Sequence, residues 1–132
     1  MANDVKTWSA IEDDGFIGLV GPILTCDQDP FHYRFDAVTK HKNRAGFVQG
    51  GMLMTFADRA MGTAARSHVP DRRQSTVQFD MQFMRAVRIG ETVDIKCGVL
   101  KETRTLIFLE GKLTVEGEVV AAARGVWKII RG

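Results

Sequence analysis

Apolar positions recur along this chain with two different periods. Phe31, Tyr33, Phe35 and Ala37 alternate with His32, Arg34 and Asp36, the period-2 pattern of a half-buried strand. Four more strand-like segments fill the second half, at 75–84, 92–101, 105–115 and 119–130. Between them lie Arg88-Ile-Gly-Glu, Lys101-Glu-Thr-Arg and Glu116-Gly-Glu, all suited to hairpin turns. From Gly50 the period becomes helical. At 100° per residue, Leu53, Phe56, Ala57, Ala60, Met61 and Ala64 share one broad apolar face, and Gly51, Met54, Asp58, Gly62 and Ala65 form a second stripe. This helix runs to about Ser67 and is apolar nearly all round, which predicts burial in the middle of the molecule.

The first thirty residues are patterned less clearly. Val5, Trp8 and Ile11 stand at helical spacing, so a short amphipathic helix is expected within 4–14. Gly15, Gly18, Gly21 and Pro22 punctuate the next stretch, predicting an edge strand over 16–26, kinked near Gly21-Pro22. The order is then helix, two strands, long helix, four strands. The simplest way to bury both kinds of apolar face is one antiparallel sheet wrapped around the long helix, an α+β fold in a single domain over 1–132.

Composition narrows the function classes. A net charge of +2, from 18 basic and 16 acidic residues, is too mild to argue for nucleic acid. The first residues lack the apolar core of a signal peptide and no apolar run reaches membrane-spanning length, so a cytoplasmic protein without a membrane partner is expected. Cys26 and Cys97 read as buried thiols of a reducing compartment. No C-x-x-C or H-x-x-x-H spacing suggests a metal, and nothing calls for a cofactor. Ser9, Ser67 and Ser75 sit in no G-x-S-x-G context, and His32, His41 and His68 read as surface residues.

Candidate chemistry gathers between Asn43 and Asp58, N-R-A-G-F-V-Q-G-G-M-L-M-T-F-A-D. A Gly50-Gly51 helix start leaves backbone N–H groups unpaired at the positive end of the helix dipole, where they can serve as a loose cap or polarise a carbonyl. Asp58 is either a structural acceptor or a working carboxylate, because an ionised group in an apolar helix is costly without partners.

The stretch resembles the loop and helix of the hot-dog-fold acyl-CoA thioesterases, in the branch of the phenylacetic-acid-pathway proteins and human thioesterase superfamily member 2. Their pattern, N-x-x-G-x-x-H-G-G-x-x-x-x-x-x-D, stands here as Asn43, Gly46, Gln49, Gly50, Gly51 and Asp58, with Gln49 in the usual histidine place. The resemblance covers roughly residues 30 to 130. It implies the hot-dog fold and acyl-CoA as substrate, cleaved to a free acid and coenzyme A. By the same resemblance Asp58 is base or nucleophile, the Gly50 N–H polarises the carbonyl, and Asn43 and Gln49 lie near the thioester. Matching back from Ile89-Gly90-Glu91 places Thr76 at a Ser/Thr position that helps to hold water; an ordinary strand threonine is the other reading. A medium-sized acyl or aryl pocket is expected from Phe47, Gly51, Met52, Met54, Met61, Phe79 and Phe83. Arg85, Arg88, Lys101 and Arg104 are candidates to meet the phosphates of coenzyme A. Gln49 keeps a second class open, an acyl-CoA-binding module without turnover. A hot-dog hydratase or dehydratase is disfavoured, since those use a histidine paired with a carboxylate.

Helix geometry bears on assembly. Eight residues at 1.5 Å each separate Gly50 from Asp58 by roughly 12 Å. One carbonyl cannot meet both, so a second helix must supply the carboxylate. A homodimer with antiparallel helices and sites shared across its interface is expected. The resemblance implies the same dimer, with pairing of dimers into a tetramer a further expectation.

Overall fold

The computed structural model describes residues 5–130. The second half is as the periodicity predicts: β3 at Asp29–Asp36, α2 at Gly50–His68, β4 at Arg73–Phe83, β5 at Thr92–Glu102, β6 at Leu106–Val115 and β7 at Glu118–Ile130. The first half differs. Trp8–Ala10 is a strand, β1, instead of a helix, and Phe16–Val20 is a short helix, α1, instead of a strand. Leu24–Cys26 completes the set as β2. A strand of three residues has no room to show a period. β1 is fixed by pairing with β2 and by Trp8, whose ring lies edge-on to His32 and carries the Arg34 guanidinium 4.1 Å from its centroid.

The seven strands form one antiparallel sheet in the order β1-β2-β3-β5-β6-β7-β4. α2 crosses its concave face, the hot-dog architecture. Leu53, Phe56, Ala57, Ala60, Met61 and Ala64 are buried against Phe35, Ile95, Ile107, Leu109 and Leu113 of the sheet. The small alanines let backbone and sheet come close, and apolar area removed from water supplies the driving force, about 25 cal/mol per Å². β6 and β7 are joined through Glu116 and Gly117, both at positive φ, the two-residue hairpin that matches strand twist.

One expectation needs correction. α2 is buried on one side only: Gly51 and Met54 are exposed, and Asp58 and Gly62 are half-buried, while Ala65 alone of that stripe is fully covered. The other open feature is β4, an edge strand of 11 residues on which Val77 and Phe83, and Met84 just beyond, remain exposed. A long apolar edge of this kind is a ready template for pairing.

Candidate active site

α2 borders three clefts, two of which meet at Phe16 and Thr55. The first holds Asp58 and Thr76. The Thr76 hydroxyl, on β4, donates to Asp58 Oδ1 over 2.8 Å, joining the helix to the edge strand. Both side chains face a cleft that runs on past Gly62 and Thr63 to Arg66, Gln74 and Trp127. Its rim is α1, through Phe16 and Ile17. The segment before α1 is tied to α2 by an Arg59–Asp13 ion pair of 2.6 Å, which holds the Asp13 carboxyl below its ordinary pKa.

The second cleft holds Asn43, Phe47, Gly50, Phe83 and Arg85. Gly50 is the first residue of α2, so its N–H has no partner inside the helix, and none of the described residues accepts from it. A Cβ on Gly50 would lie 3.4 Å from the Phe83 ring, so glycine lets that ring seat close to the helix start. Asn43 Oδ1 accepts from the Ala45 and Phe47 N–H groups at 2.9 and 3.1 Å, folding the loop before the helix. The Asn43 amide N–H₂ has no partner among the described residues.

Gln49 goes elsewhere. It caps α2 by position without a side-chain capping bond, and faces a third cleft with Lys40, Gly51, Met52 and Thr55. Gln49 thus lines a different cleft from Asn43 and Gly50, one that shares Phe16 and Thr55 with the cleft of Asp58. Arg85 is also engaged: it forms a two-pronged ion pair with Glu91, both bonds 2.9 Å, and a contact to Glu118 at 3.3 Å. That pairing holds the Glu91 carboxyl below its usual range. Of the expected pocket residues, Met52 and Met61 are core, Phe79 is half-buried, and Met54 lies on the open stripe of α2.

Two histidines expected at the surface are buried. His32 does point outward from β3, but Trp8 covers it. Its Nδ1 meets the Lys6 ammonium, which can only donate, so the ring proton is on Nε2 and donates to Asp94 over 2.8 Å. His41 accepts the Val38 N–H at Nδ1 and donates from Nε2 to the Val20 carbonyl, binding the end of α1 to the loop before α2. Neither reaches the clefts of Asp58 or Gly50. Burial pushes the Cys97 thiol up to about 12, so it is no nucleophile.

Sequence reasoning missed Trp127. Its position in the alternation of β7 marks it as core, and it is only 2% exposed. What the alternation does not carry is its neighbours: a Cβ on Gly125 would lie 2.6 Å from its six-membered ring, and one on Gly62 3.2 Å from its Nε1. Two glycines, one on each side, leave the indole room to present its N–H beside α2, one turn beyond Asp58.

Comparison with known proteins places the geometry. The thioesterase superfamily pattern matches residues 45–122, from the loop before α2 into β7. A candidate esterase of Pseudomonas aeruginosa, PA0474, is 31% identical over 117 residues, covering 86% of this chain and 87% of that one. Mouse acyl-coenzyme A thioesterase 13 is 28% identical over 87 residues, 64% of this chain and 62% of its own. The E. coli PaaI protein from the phenylacetic acid degradation operon superposes with a TM-score of 0.74 at 20% identity, covering 83% of this chain and 79% of that one. Sequence pattern, relative and fold agree, and the chain belongs to the thioesterase superfamily.

Proposed function

We propose that two copies of this chain build an acyl-CoA thioesterase whose sites are shared between them. The observation that carries this is the separation of the chemistry: the Asp58–Thr76 pair opens on one cleft, and the unpaired Gly50 N–H with the Asn43 amide on another. Along α2 they stand roughly 12 Å apart, too far for one carbonyl. The open stripe of α2, with Gly51, Met54 and Gly62, and the exposed β4 edge are the surfaces a two-fold partner would cover. An antiparallel pair of α2 helices then sets Asp58 of one copy opposite Gly50 of the other.

In that arrangement the thioester oxygen accepts from the Gly50 N–H at the helix start, with the Asn43 amide as a second donor. Asp58 of the facing copy takes a proton from water as the water oxygen bonds to the carbonyl carbon. The Thr76 hydroxyl donates to Asp58 and keeps lone pairs for that water. Collapse of the oxyanion breaks the C–S bond, and the sulfur leaves with the proton Asp58 had taken. Direct attack by Asp58, with water opening the resulting anhydride, uses the same groups. A medium-sized acyl or aryl group suits a cleft of ≈ 590 Å³ beside Asp58.

The test is release of free thiol from a panel of acyl-CoAs, run on wild type and Asp58→Asn. Turnover of at least one ester that is lost in the variant supports the reading. Binding without turnover by the wild type would instead favour an acyl-CoA-binding module.

A further inference from the structure

The start of α2 is held from outside the helix. Gln49 makes no side-chain capping bond and two glycines follow it, so neither a cap nor side-chain bulk fixes where the Gly50 N–H points. The backbone before it does. The Val48 N–H donates to the Val87 carbonyl over 2.8 Å, and the Gln49 N–H to the His41 carbonyl at the same distance. Phe47 pairs with Arg88 in a short antiparallel bridge, and its carbonyl accepts the Asn43 N–H at 2.6 Å. Both donors of the second cleft, the Gly50 N–H and the Asn43 amide, thus take their positions from segment 85–88.

That segment is gripped by one carboxylate. Glu91 is rooted in the sheet, where its carbonyl accepts the Ala37 N–H at the end of β3 over 2.9 Å. Its Oε1 accepts the Arg88 N–H at 2.7 Å and Arg85 Nη1 at 2.9 Å, while Oε2 accepts Arg85 Nη2 at 2.9 Å. A two-pronged pair of this kind fixes direction as well as distance, and at 18% exposure the Glu91 side chain is partly shielded from solvent screening.

Resting on the thioesterase reading, we propose that Glu91 is a positioning residue for hydrolysis: through Arg85 and Arg88 it holds segment 85–88 where that segment aims the Gly50 N–H and the Asn43 amide at the thioester oxygen. It does not itself touch the substrate. The Asp58–Thr76 pair is fixed by its own bond between α2 and β4, so loss of Glu91 damages one half-site and spares the other.

The experiment starts from Glu91→Leu, which removes all three bonds at similar volume. We expect kcat to fall at least ~10-fold with KM changed less, the pattern of a donor displaced by on the order of 1 Å. Glu91→Gln keeps an oxygen for the Arg88 N–H and should lie between the leucine variant and wild type. If the leucine chain does not fold, the glutamine chain decides alone. A wild-type kcat, or a loss confined to KM, overturns the inference.

Mixed refolding then locates the damage. Glu91→Leu with Asp58→Asn should return about a quarter of wild-type activity, because each mixed dimer holds one intact site. Glu91→Leu with Asn43→Asp, which removes the amide donors, should return none, because both changes fall in the same half-site. The reverse pattern overturns the inference. So does recovery with neither partner while Asp58→Asn and Asn43→Asp chains restore each other. If those two chains also fail to restore each other, the shared-site reading falls and the kcat loss in Glu91→Leu still supports positioning.

Amide hydrogen exchange reads the coupling without turnover. The Val48 N–H should exchange at least ~10-fold faster in Glu91→Leu, with amides around Asp58 unchanged. Unaltered Val48 exchange overturns the inference. Faster exchange in a protein that hydrolyses no ester would sink the thioesterase reading and leave Glu91 as the group that places the helix start.

Discussion

The Thr76 hydroxyl donates to the Asp58 carboxylate over 2.8 Å, from the sheet's edge strand to the middle of the long helix. The bond fixes one carboxylate oxygen and leaves the other to face the cleft. Thr76→Val removes it at nearly constant volume. We predict that kcat falls further than KM changes, since a loosely held carboxylate affects the chemical step more than binding. Steady-state kinetics on the best ester decide the matter; an unchanged kcat would make Thr76 an ordinary strand residue.

Asp58→Asn tests the carboxylate itself. Asparagine retains an oxygen for the Thr76 hydroxyl but cannot accept a proton or attack. A drop in kcat of at least ~10²-fold is expected, with melting temperature held or raised because the geometry survives and a charge is gone. An active variant would contradict the mechanism.

Much of the fold is legible in the sequence, and the reasons are local. β3 to β7 and α2 carry long, unbroken periods, and their bounds fall within a few residues of those predicted. β1 and α1 come out reversed because three and five residues cannot display a period; Trp8 over His32 and Phe16 over the cleft, contacts distant in sequence, decide them. The Gly50–Asp58 separation is available from residue numbers alone. The cleft that Gln49 lines, the Arg85–Glu91 pair and the seat of Trp127 between Gly62 and Gly125 are not, since each depends on which side chains meet across elements.

Gln49 gives a third prediction. Its side chain faces the cleft of Lys40 and Thr55, apart from Asn43 and Gly50. Gln49→His should fold and remain active, with kcat/KM changed by less than ~10-fold, as expected for a group outside the proton transfer. Loss of turnover in Gln49→His would place residue 49 against the thioester.

His32 provides a pH dependence of stability. Burial disfavours its imidazolium, outweighing the pull of Asp94, and holds its pKa below the ordinary 6.5. Between the lowered and the ordinary value the unfolded chain binds more protons. Stability is therefore full above the ordinary histidine range and declines as pH falls through it. Melting temperature should drop between about pH 7 and pH 5.5, above the range where carboxylates protonate. His32→Gln should flatten that interval, and an equal slope in the variant would assign the decline to another group.

The central claim is that Asp58 and Gly50 act on one thioester from two chains, and mixing two inactive variants measures it. Asp58→Asn removes the carboxylate. Asn43→Asp removes the amide donors of the other half-site while keeping the Oδ1 that accepts from the Ala45 and Phe47 N–H groups, so the loop still folds. Each alone should be nearly inactive. Unfolded together in equal amounts and refolded, half of the dimers are mixed, and each mixed dimer holds one intact and one doubly altered site, so about a quarter of wild-type activity should return. Recovery no greater than the two variants' own residual activities would mean that each site lies within a single chain.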